Sequence, residues 1–186
     1  MMEKGIQDGP QQEVAMANAV FEAVPTVLAV REYQEKEVDE EVVRRIAEAA
    51  HLTASAANRQ EWHFVVVRDR ETLQRLGRLV RTGPYIAGAT FAIVVAYQRD
   101  SRTGVSDASR AAQSMMLAAW GDGVGSNWTG FTGLTEVAQE VGIPERYDVL
   151  AVLPFGYPAR AVGTGKKKRK PLGEVVSAER FGQPFS

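Results

Sequence analysis

Hydrophobic residues along the chain follow two patterns, helical spacing and continuous apolar runs. Helical spacing predicts five helices, which begin near Val14, after Asp39, after Asp69, after Asp107 and near Thr135. Continuous runs predict strands at 62–68, 89–97 and 148–155, with a short strand or turn at 124–128. The valine-rich run 62–68 also predicts burial on both faces of its strand. Because these elements do not alternate strictly, the order predicts an α+β fold with a small sheet, not a doubly wound nucleotide-binding fold.

The length of 186 residues fits a single domain with terminal extensions. We expect a flexible N-terminal tail over 1–11, an α+β domain over 12–158 and a C-terminal arm over 159–186. The arm has too little apolar content to form a core of its own. Reaching over a neighbouring subunit is therefore a natural use for it.

Charge and hydropathy exclude several partners. The net charge of −1, from 22 basic and 23 acidic residues, gives no field that would attract nucleic acid or an anionic membrane. The run 89–97 is far shorter than the ~20 residues of a membrane-spanning helix. Glu22 and Pro25 interrupt the apolar stretch 14–30 that would otherwise suggest a signal peptide. Since the chain has no cysteine, a reducing cytoplasm is the expected location.

The sequence lacks the residues and motifs that several common kinds of catalytic and binding site require. The absence of cysteine excludes thiolate nucleophiles, iron–sulfur clusters and cysteine zinc sites. His51 and His63 lie on different predicted elements without ligand spacing, so we expect no metal. The sequence contains neither a G-x-S-x-G elbow nor a Walker loop. The glycines at 121–125 follow a helix, whereas a dinucleotide motif follows a strand, so they indicate a turn.

Two polar segments are candidates for ligand contact. The loop at 53–62 carries Ser55, Asn58 and Gln60, whose hydroxyl and amide groups suit a phosphate or a heteroaromatic edge. A capped turn between helix and strand is the alternative interpretation. The basic run 166–170 precedes Pro171, and a solvated tail is the alternative there.

Taken in order, several short motifs make the chain resemble the FMN-dependent nitroreductase family. They are V-R-E-Y at 30–33, S-A-A-N-R-Q-E-W at 55–62, A-A-W-G-D-G-V-G-S-N-W-T-G-F at 118–131, G-Y-P at 156–158 and K-K-R-K-P-L at 167–172. The resemblance covers roughly residues 21–176. It implies a small mixed sheet flanked by helices, and a domain-swapped homodimer with two FMN molecules at the interface. It further implies ping-pong transfer of reducing equivalents from NAD(P)H through FMN to a nitro compound, quinone or similar acceptor.

The resemblance also implies roles for residues near the flavin ring. Arg31 corresponds to the basic residue at the pyrimidine edge, where a fixed positive charge stabilises the reduced ring. Thr129 and Gly130 correspond to the segment whose backbone N–H faces the reactive ring nitrogen. No side chain is nominated as a general acid or base, because in this family the flavin supplies the chemistry.

Further contacts are implied at the two other edges of the cofactor. Ser55, Asn58 and Gln60 correspond to a loop that reaches the flavin from the partner subunit. Lys167 and Arg169 correspond to the cationic pair that binds the phosphate. A variable region that includes Tyr85, Phe131 and the 98–106 loop would line the acceptor pocket.

One departure from the family pattern concerns the phosphate end. The usual basic-basic-Ser triplet is replaced by Val27-Leu28-Ala29, and losing two such contacts would cost about 1.5–3 kcal/mol each. Ala54 and Glu61 also stand where prolines are usual. Two alternatives therefore stay open: a protein of this fold that uses a deazaflavin, and a dimer that binds a ligand without turnover.

Overall fold

The computed structural model describes residues 21–130, 132–163 and 167–185. Of the helix predicted from Val14, residues 21–26 are helical and the preceding part lies outside the described residues. The later elements are α1 (Glu40–His51), β1 (Trp62–Val67), α2 (Arg70–Leu79), β2 (Phe91–Gln98), α3 (Gly104–Gly121), β3 (Gly125–Ser126), α4 (Leu134–Glu140) and β4 (Tyr147–Gly156). Short 3₁₀ turns occupy Ala56–Asn58, Pro84–Gly88 and Leu172–Glu174.

The four strands form one sheet in the order β1-β2-β4-β3, and each adjacent pair is antiparallel. Within the described residues, parallel pairing is confined to an isolated bridge between Ala29 and Ser126 at the β3 edge. The predicted α+β class, with a small sheet flanked by helices, is confirmed, and the sheet is mixed through that bridge alone.

Alternation along β2 builds a hydrophobic core on each face of the sheet. Phe91, Ile93 and Val95 pack with α1 and α3 on one face, where the ring of Phe91 stacks on that of Phe155 at 4.8 Å. Ala92 and Val94 pack with α2 and α4 on the other face. Strand β2 is therefore central and buried on both sides, as its apolar run predicts.

Strand β1 is less buried than its valine run predicts. It forms the edge of the sheet, and Val66 retains 40% of its exposure while His63 is also exposed. The prediction of burial on both faces was wrong because an edge strand has a neighbour on one side only, so less of its surface is covered.

Helix α3 begins earlier than predicted. Its N-cap is Thr103 and its first residue Gly104, which lies so close to Tyr97 that an added Cβ would be 2.8 Å from a ring carbon. Asp107, the predicted cap, instead lies inside the first turn and is buried. The predicted cap of α2 is confirmed, since Asp69 accepts a hydrogen bond from the Thr72 N–H.

The described part of the C-terminal arm is largely exposed in a single chain, including the apolar side chains of Leu172, Val175, Phe181 and Phe185. Across the described residues no helix is both long enough and apolar enough to cross a membrane.

Candidate functional site

The segment that carries Arg31 is fixed to the edge of the sheet. The Val30 N–H donates to the Ser126 carbonyl at 2.9 Å, and the Val30 side chain is buried against Gly125. A Cβ on Gly125 would lie 2.4 Å from Val30 Cγ2, so glycine is required for this approach. The buried valine thus anchors the backbone beside the exposed Arg31.

Arg31 belongs to a polar cluster with Tyr85 and Asn127. Its guanidinium carbon lies 5.8 Å from the centre of the Tyr85 ring, within the range of a cation–π contact. The Tyr85 hydroxyl accepts a hydrogen bond from Asn127 Nδ2 at 2.5 Å, and Asn127 is buried. The sequence places Asn127 directly after β3, but no spacing rule would have singled it out.

Tyr33 lies beneath this cluster. Its hydroxyl donates to the Val30 carbonyl at 2.8 Å. Burial raises the pKa of Tyr33 well above its usual value, the nearby Tyr85 raises it further, and Arg31 acts in the opposite direction. The phenol therefore stays neutral and acts as a structural donor, not as a titrating group.

Thr129 and Gly130 follow β3 and are buried. The Thr129 N–H and Oγ1 both donate to the Val152 carbonyl, at 3.1 and 2.7 Å. Gly130 adopts a φ of +130°, and a Cβ there would lie 3.0 Å from Ala151 Cα, so the position requires glycine. The Thr129 N–H is therefore engaged by the sheet, whereas within the described residues no backbone acceptor is found for the Gly130 N–H. We call residues 27–33 and 125–130, with Tyr85, the arginine half.

The loop between α1 and β1 brings Ser55, Asn58 and Gln60 together. Ser55 Oγ accepts from the Gln60 N–H at 3.0 Å, and Asn58 Oδ1 accepts from Gln60 Nε2 at 3.1 Å. Asn58 and Gln60 have φ values of 53°, and Ala57 has 50°. A left-handed alanine costs about 1–2 kcal/mol, so the surrounding contacts must hold this conformation. We call residues 53–61 the loop half.

A buried carboxylate on α3 holds the loop half. Asp107, 1% exposed, accepts from the Ala56 N–H at 3.1 Å and pairs with Arg110. Burial by itself would raise the pKa of Asp107, but hydrogen bonds from the Ala56 N–H and the Arg110 guanidinium outweigh it and hold the pKa below its usual value. Sequence reasoning assigned Asp107 to a cap. The signal that could have corrected this is Thr103-Gly104, an alternative helix start four residues earlier.

The two halves lie far apart in one chain. Ala29 in the arginine half bridges Ser126 beside one end of β4, whereas the loop half leads into Trp62, paired with Tyr97 at the opposite end of β2. Along β2, the six residue steps from Phe91 to Tyr97 span about 20 Å. Across the sheet, the four spacings from β1 through β2, β4 and β3 to Ala29 add about 19 Å. The separation between Ala29 and Trp62 is therefore roughly 25–30 Å.

Helix α3 gives an independent measure of the same separation. Asp107 binds the loop half near the helix start, and Trp120 Nε1 donates to Thr26 Oγ1 at 3.2 Å near its end, just before the arginine half. At 1.5 Å per residue these contacts are about 20 Å apart along the axis.

The basic tail returns toward the arginine half. Lys167 Nζ donates to the Val24 carbonyl at 2.8 Å, close in sequence to Val27-Leu28-Ala29. Arg169 is exposed and donates to the Lys168 carbonyl at 3.2 Å. The contact therefore places one cation of the predicted phosphate pair beside Val24, three residues before the segment that lacks the usual donors.

Three surface pockets of the single chain lie away from both halves. Cavities of about 310, 570 and 270 Å³ are lined by none of the eight residues predicted to bind the cofactor. The largest has Tyr97 and Arg99 in its wall together with α4, so it includes the start of the predicted acceptor loop, whereas Tyr85 lies with Arg31 and Phe131 is outside the described residues. Among the described side chains no group of three or more metal-ligating residues occurs.

Comparison with known proteins gives consistent matches. The model of the Nitroreductase family matches residues 28–98 and 81–157. A relative from Methanothermobacter thermautotrophicus, provisionally named NADH dehydrogenase/NAD(P)H nitroreductase, is 36% identical across 78% of this chain and 80% of its own length. A crystal structure from Bacteroides thetaiotaomicron with the same provisional name superposes with a TM-score of 0.81 and 28% identity, covering 88% of this chain and 99% of that one. An FMN-dependent nitroreductase from Clostridium difficile gives 0.77 and 25%, covering 86% and 98%.

Proposed function

The chain belongs to the nitroreductase family of oxidoreductases, and on this premise we propose that it binds FMN and uses NAD(P)H to reduce a nitro compound, quinone or similar acceptor. When bound, FMN would take up reducing equivalents from NAD(P)H and release them to the acceptor in a separate half-reaction. The observation that carries the proposal is the arginine half, where the exposed Arg31 guanidinium lies over the Tyr85 ring and the buried amide of Asn127 donates to the Tyr85 hydroxyl.

The residues of the arginine half fit the needs of a flavin ring. Arg31 would place its positive charge at the pyrimidine edge, where negative charge develops on reduction, and a fixed charge there needs no reorganisation. Tyr85 restricts the guanidinium by contact with its ring. The Gly130 N–H would donate to the reactive ring nitrogen, as the resemblance to the family implies.

Cations of the tail fit the phosphate end. Lys167 and Arg169 would bind the phosphate through charge-assisted hydrogen bonds, which are stronger than neutral ones. The Lys167 contact to Val24 supports this role, because it brings a cation to the segment where Leu28 and Ala29 replace the usual donors. We expect Lys167 to compensate in part for the altered triplet.

We further propose that the functional unit is a homodimer in which each cofactor contacts the arginine half of one chain and the loop half of its partner. A separation of roughly 25–30 Å within one chain supports this, because one flavin could not contact Arg31 and Asn58 of the same chain. The exposed apolar residues of the arm also support a second copy as its contact surface.

The first test is an absorbance spectrum of purified protein after incubation with FMN and desalting. We expect a retained flavin band that NADH or NADPH bleaches without oxygen. Arg169→Ala should weaken FMN binding about tenfold with the fold intact, while Lys170→Ala, a matched loss of one tail cation, should change it little. Equal affinity of the wild type and Arg169→Ala would contradict the phosphate assignment.

The altered triplet favours one second candidate, a deazaflavin in place of FMN. Apolar residues at 27–29 reshape the end of the site where the phosphate would lie. Protein that retains no FMN but retains a deazaflavin under the same conditions would replace the first proposal with this one. Retention of neither would indicate a dimer that binds another ligand without turnover.

Complementation tests the shared site. Arg31→Ala damages the arginine half, and Asn58→Gly removes the loop amide while still allowing the left-handed backbone. In a mixed dimer one site has both defects and the other has none. Random mixing should therefore restore about a quarter of wild-type FMN sites, as expected for a two-fold interface. No recovery after unfolding and refolding the mixture would exclude the shared arrangement.

A further inference from the structure

Resting on the proposed function, we propose that Asp107 is a positioning residue for cofactor binding, acting through the loop half. Its side chain makes no hydrogen bond, among the described residues, to the side chain of a residue predicted to bind the cofactor. Its carboxylate instead accepts the Ala56 N–H at 3.1 Å and so fixes the backbone between Ser55 and Asn58. Burial at 1% exposure excludes competing water from this bond.

The need for such an anchor follows from the backbone of the loop. Ala57, Asn58 and Gln60 hold positive φ values, although none of them is glycine. The bonds within the loop link these residues to one another and to Ser55, but they do not attach the loop to the body of the protein. Helix α3 attaches the first part of the loop, because Asp107 accepts from Ala56 and Ser114 accepts from Thr53 at 2.8 Å. Glu61 attaches the last part, because it accepts from Ser101 Oγ at 2.6 Å and from the Gln98 N–H at 2.9 Å.

Asp107 is itself held in a fixed orientation. It lies in the first turn of α3, where the helix dipole favours a negative charge, and Arg110 on the next turn pairs with its other oxygen. One oxygen is thus directed at the loop and the other at Arg110. The position of the loop backbone at Ala56 therefore depends on one oxygen of the Asp107 carboxylate, Oδ2.

Three variants test the inference. Asp107→Ala removes the acceptor. Ala56→Pro removes the donor and leaves Asp107 in place, and it fits the backbone, because Ser55 is extended and the first position of a helical turn accepts proline. Asp107→Asn retains an oxygen that can accept from Ala56. Asp69→Asn is the control, since Asp69 also accepts a backbone N–H at a helix start but lies on α2.

Two readouts distinguish positioning from a purely structural role. The first is the FMN dissociation constant, measured well below the unfolding temperature of each variant. We expect it to rise about tenfold in Asp107→Ala and in Ala56→Pro, less than about threefold in Asp107→Asn, and not at all in Asp69→Asn. A lower unfolding temperature with unchanged FMN affinity in the first two variants would overturn the inference.

The second readout needs no cofactor. Hydrogen exchange of the amides at 56–60 should become at least about tenfold faster in Asp107→Ala and unchanged in Asp69→Asn. Unchanged exchange in both variants would overturn the inference even if FMN binds. A wild type that binds no FMN would overturn the proposed function instead, and faster loop exchange would then still establish the anchor.

Discussion

The arginine half and the loop half are built in opposite ways. The arginine half is a continuation of the sheet, with Val30 buried, Thr129 bonded to Val152 and Gly125 fitted closely against its neighbour. The loop half is mostly exposed and depends on a few polar contacts, among them those of Asp107 with Ala56 and of Ser101 with Glu61. Packing therefore defines one half and hydrogen bonding the other, so the two should respond differently to substitution, pH and temperature.

The largest effect is expected in the arginine half, on reduction of the flavin. Arg31→Ala should slow the NADH-dependent half-reaction roughly tenfold to a hundredfold, corresponding to about 1.5–3 kcal/mol for a lost charge-assisted contact. Arg31→Lys retains the charge and should recover much of the rate. Stopped-flow absorbance of the flavin band measures both, and equal rates for wild type and Arg31→Ala would show that this charge does not tune the reaction.

Overpacking tests whether the sheet holds the arginine half. Gly125→Ala forces a methyl against Val30, which we expect to reduce the free energy of unfolding by about 1–3 kcal/mol and to weaken FMN binding as the segment shifts. Gly121→Ala is the control, because an added Cβ there meets nothing within 4 Å and alanine favours the helix end. Denaturant unfolding compares the two, and similar stability for both variants would contradict the packing argument.

Restoring the altered triplet should sharpen the phosphate end. Leu28→Arg combined with Ala29→Ser adds a charged and a hydroxyl donor, and we expect FMN to bind about tenfold more tightly. Leu52→Arg makes a similar change at the exposed residue that follows α1 and should leave the affinity unchanged. Fluorescence titration gives both constants. No gain in the double variant would mean that the phosphate does not lie beside residues 28 and 29.

The smallest effect is a pH dependence confined to the loop half. Because the folded pKa of Asp107 lies below its ordinary value of 3.8, the charged form stabilises the fold above that value, and this contribution is lost as the pH falls through the folded pKa. The difference in unfolding temperature between wild type and Asp107→Asn should be constant from pH 6 to 8 and shrink below about pH 4. A difference that is as large at pH 3 as at pH 7 would contradict the assignment of charge to Asp107.

The same contrast explains what the sequence could predict. The apolar run of β2 and the helical stripes specify elements whose burial follows from pattern alone, and the structure agrees. Edge position is a property of the whole sheet, which is why the exposure of β1 was missed. The family resemblance identified residues of both halves by their motifs. The distance between the halves within one chain follows only from how the strands are paired in the sheet, which the motifs do not specify.

Asp107 and Asn127 were missed as functional candidates for a related reason. Their importance lies in contacts with Ala56 and Tyr85, which are distant in sequence. An aspartate near a helix start is equally well explained as a cap, and an asparagine after a strand as a turn residue. Local sequence predicts the usual role of a residue type, whereas the distant residue that it contacts is known only from the fold.

The length of α3 has a consequence for the protein in dilute solution. If each cofactor requires halves from two chains held roughly 20–30 Å apart in each, then cofactor binding and chain association form a single linked equilibrium. FMN would strengthen pairing to the same extent that pairing strengthens FMN binding. Specific activity should then fall on dilution and recover with added FMN. The fraction of active protein would therefore depend on the concentration of the chain in the cell as well as on the catalytic rate of the dimer.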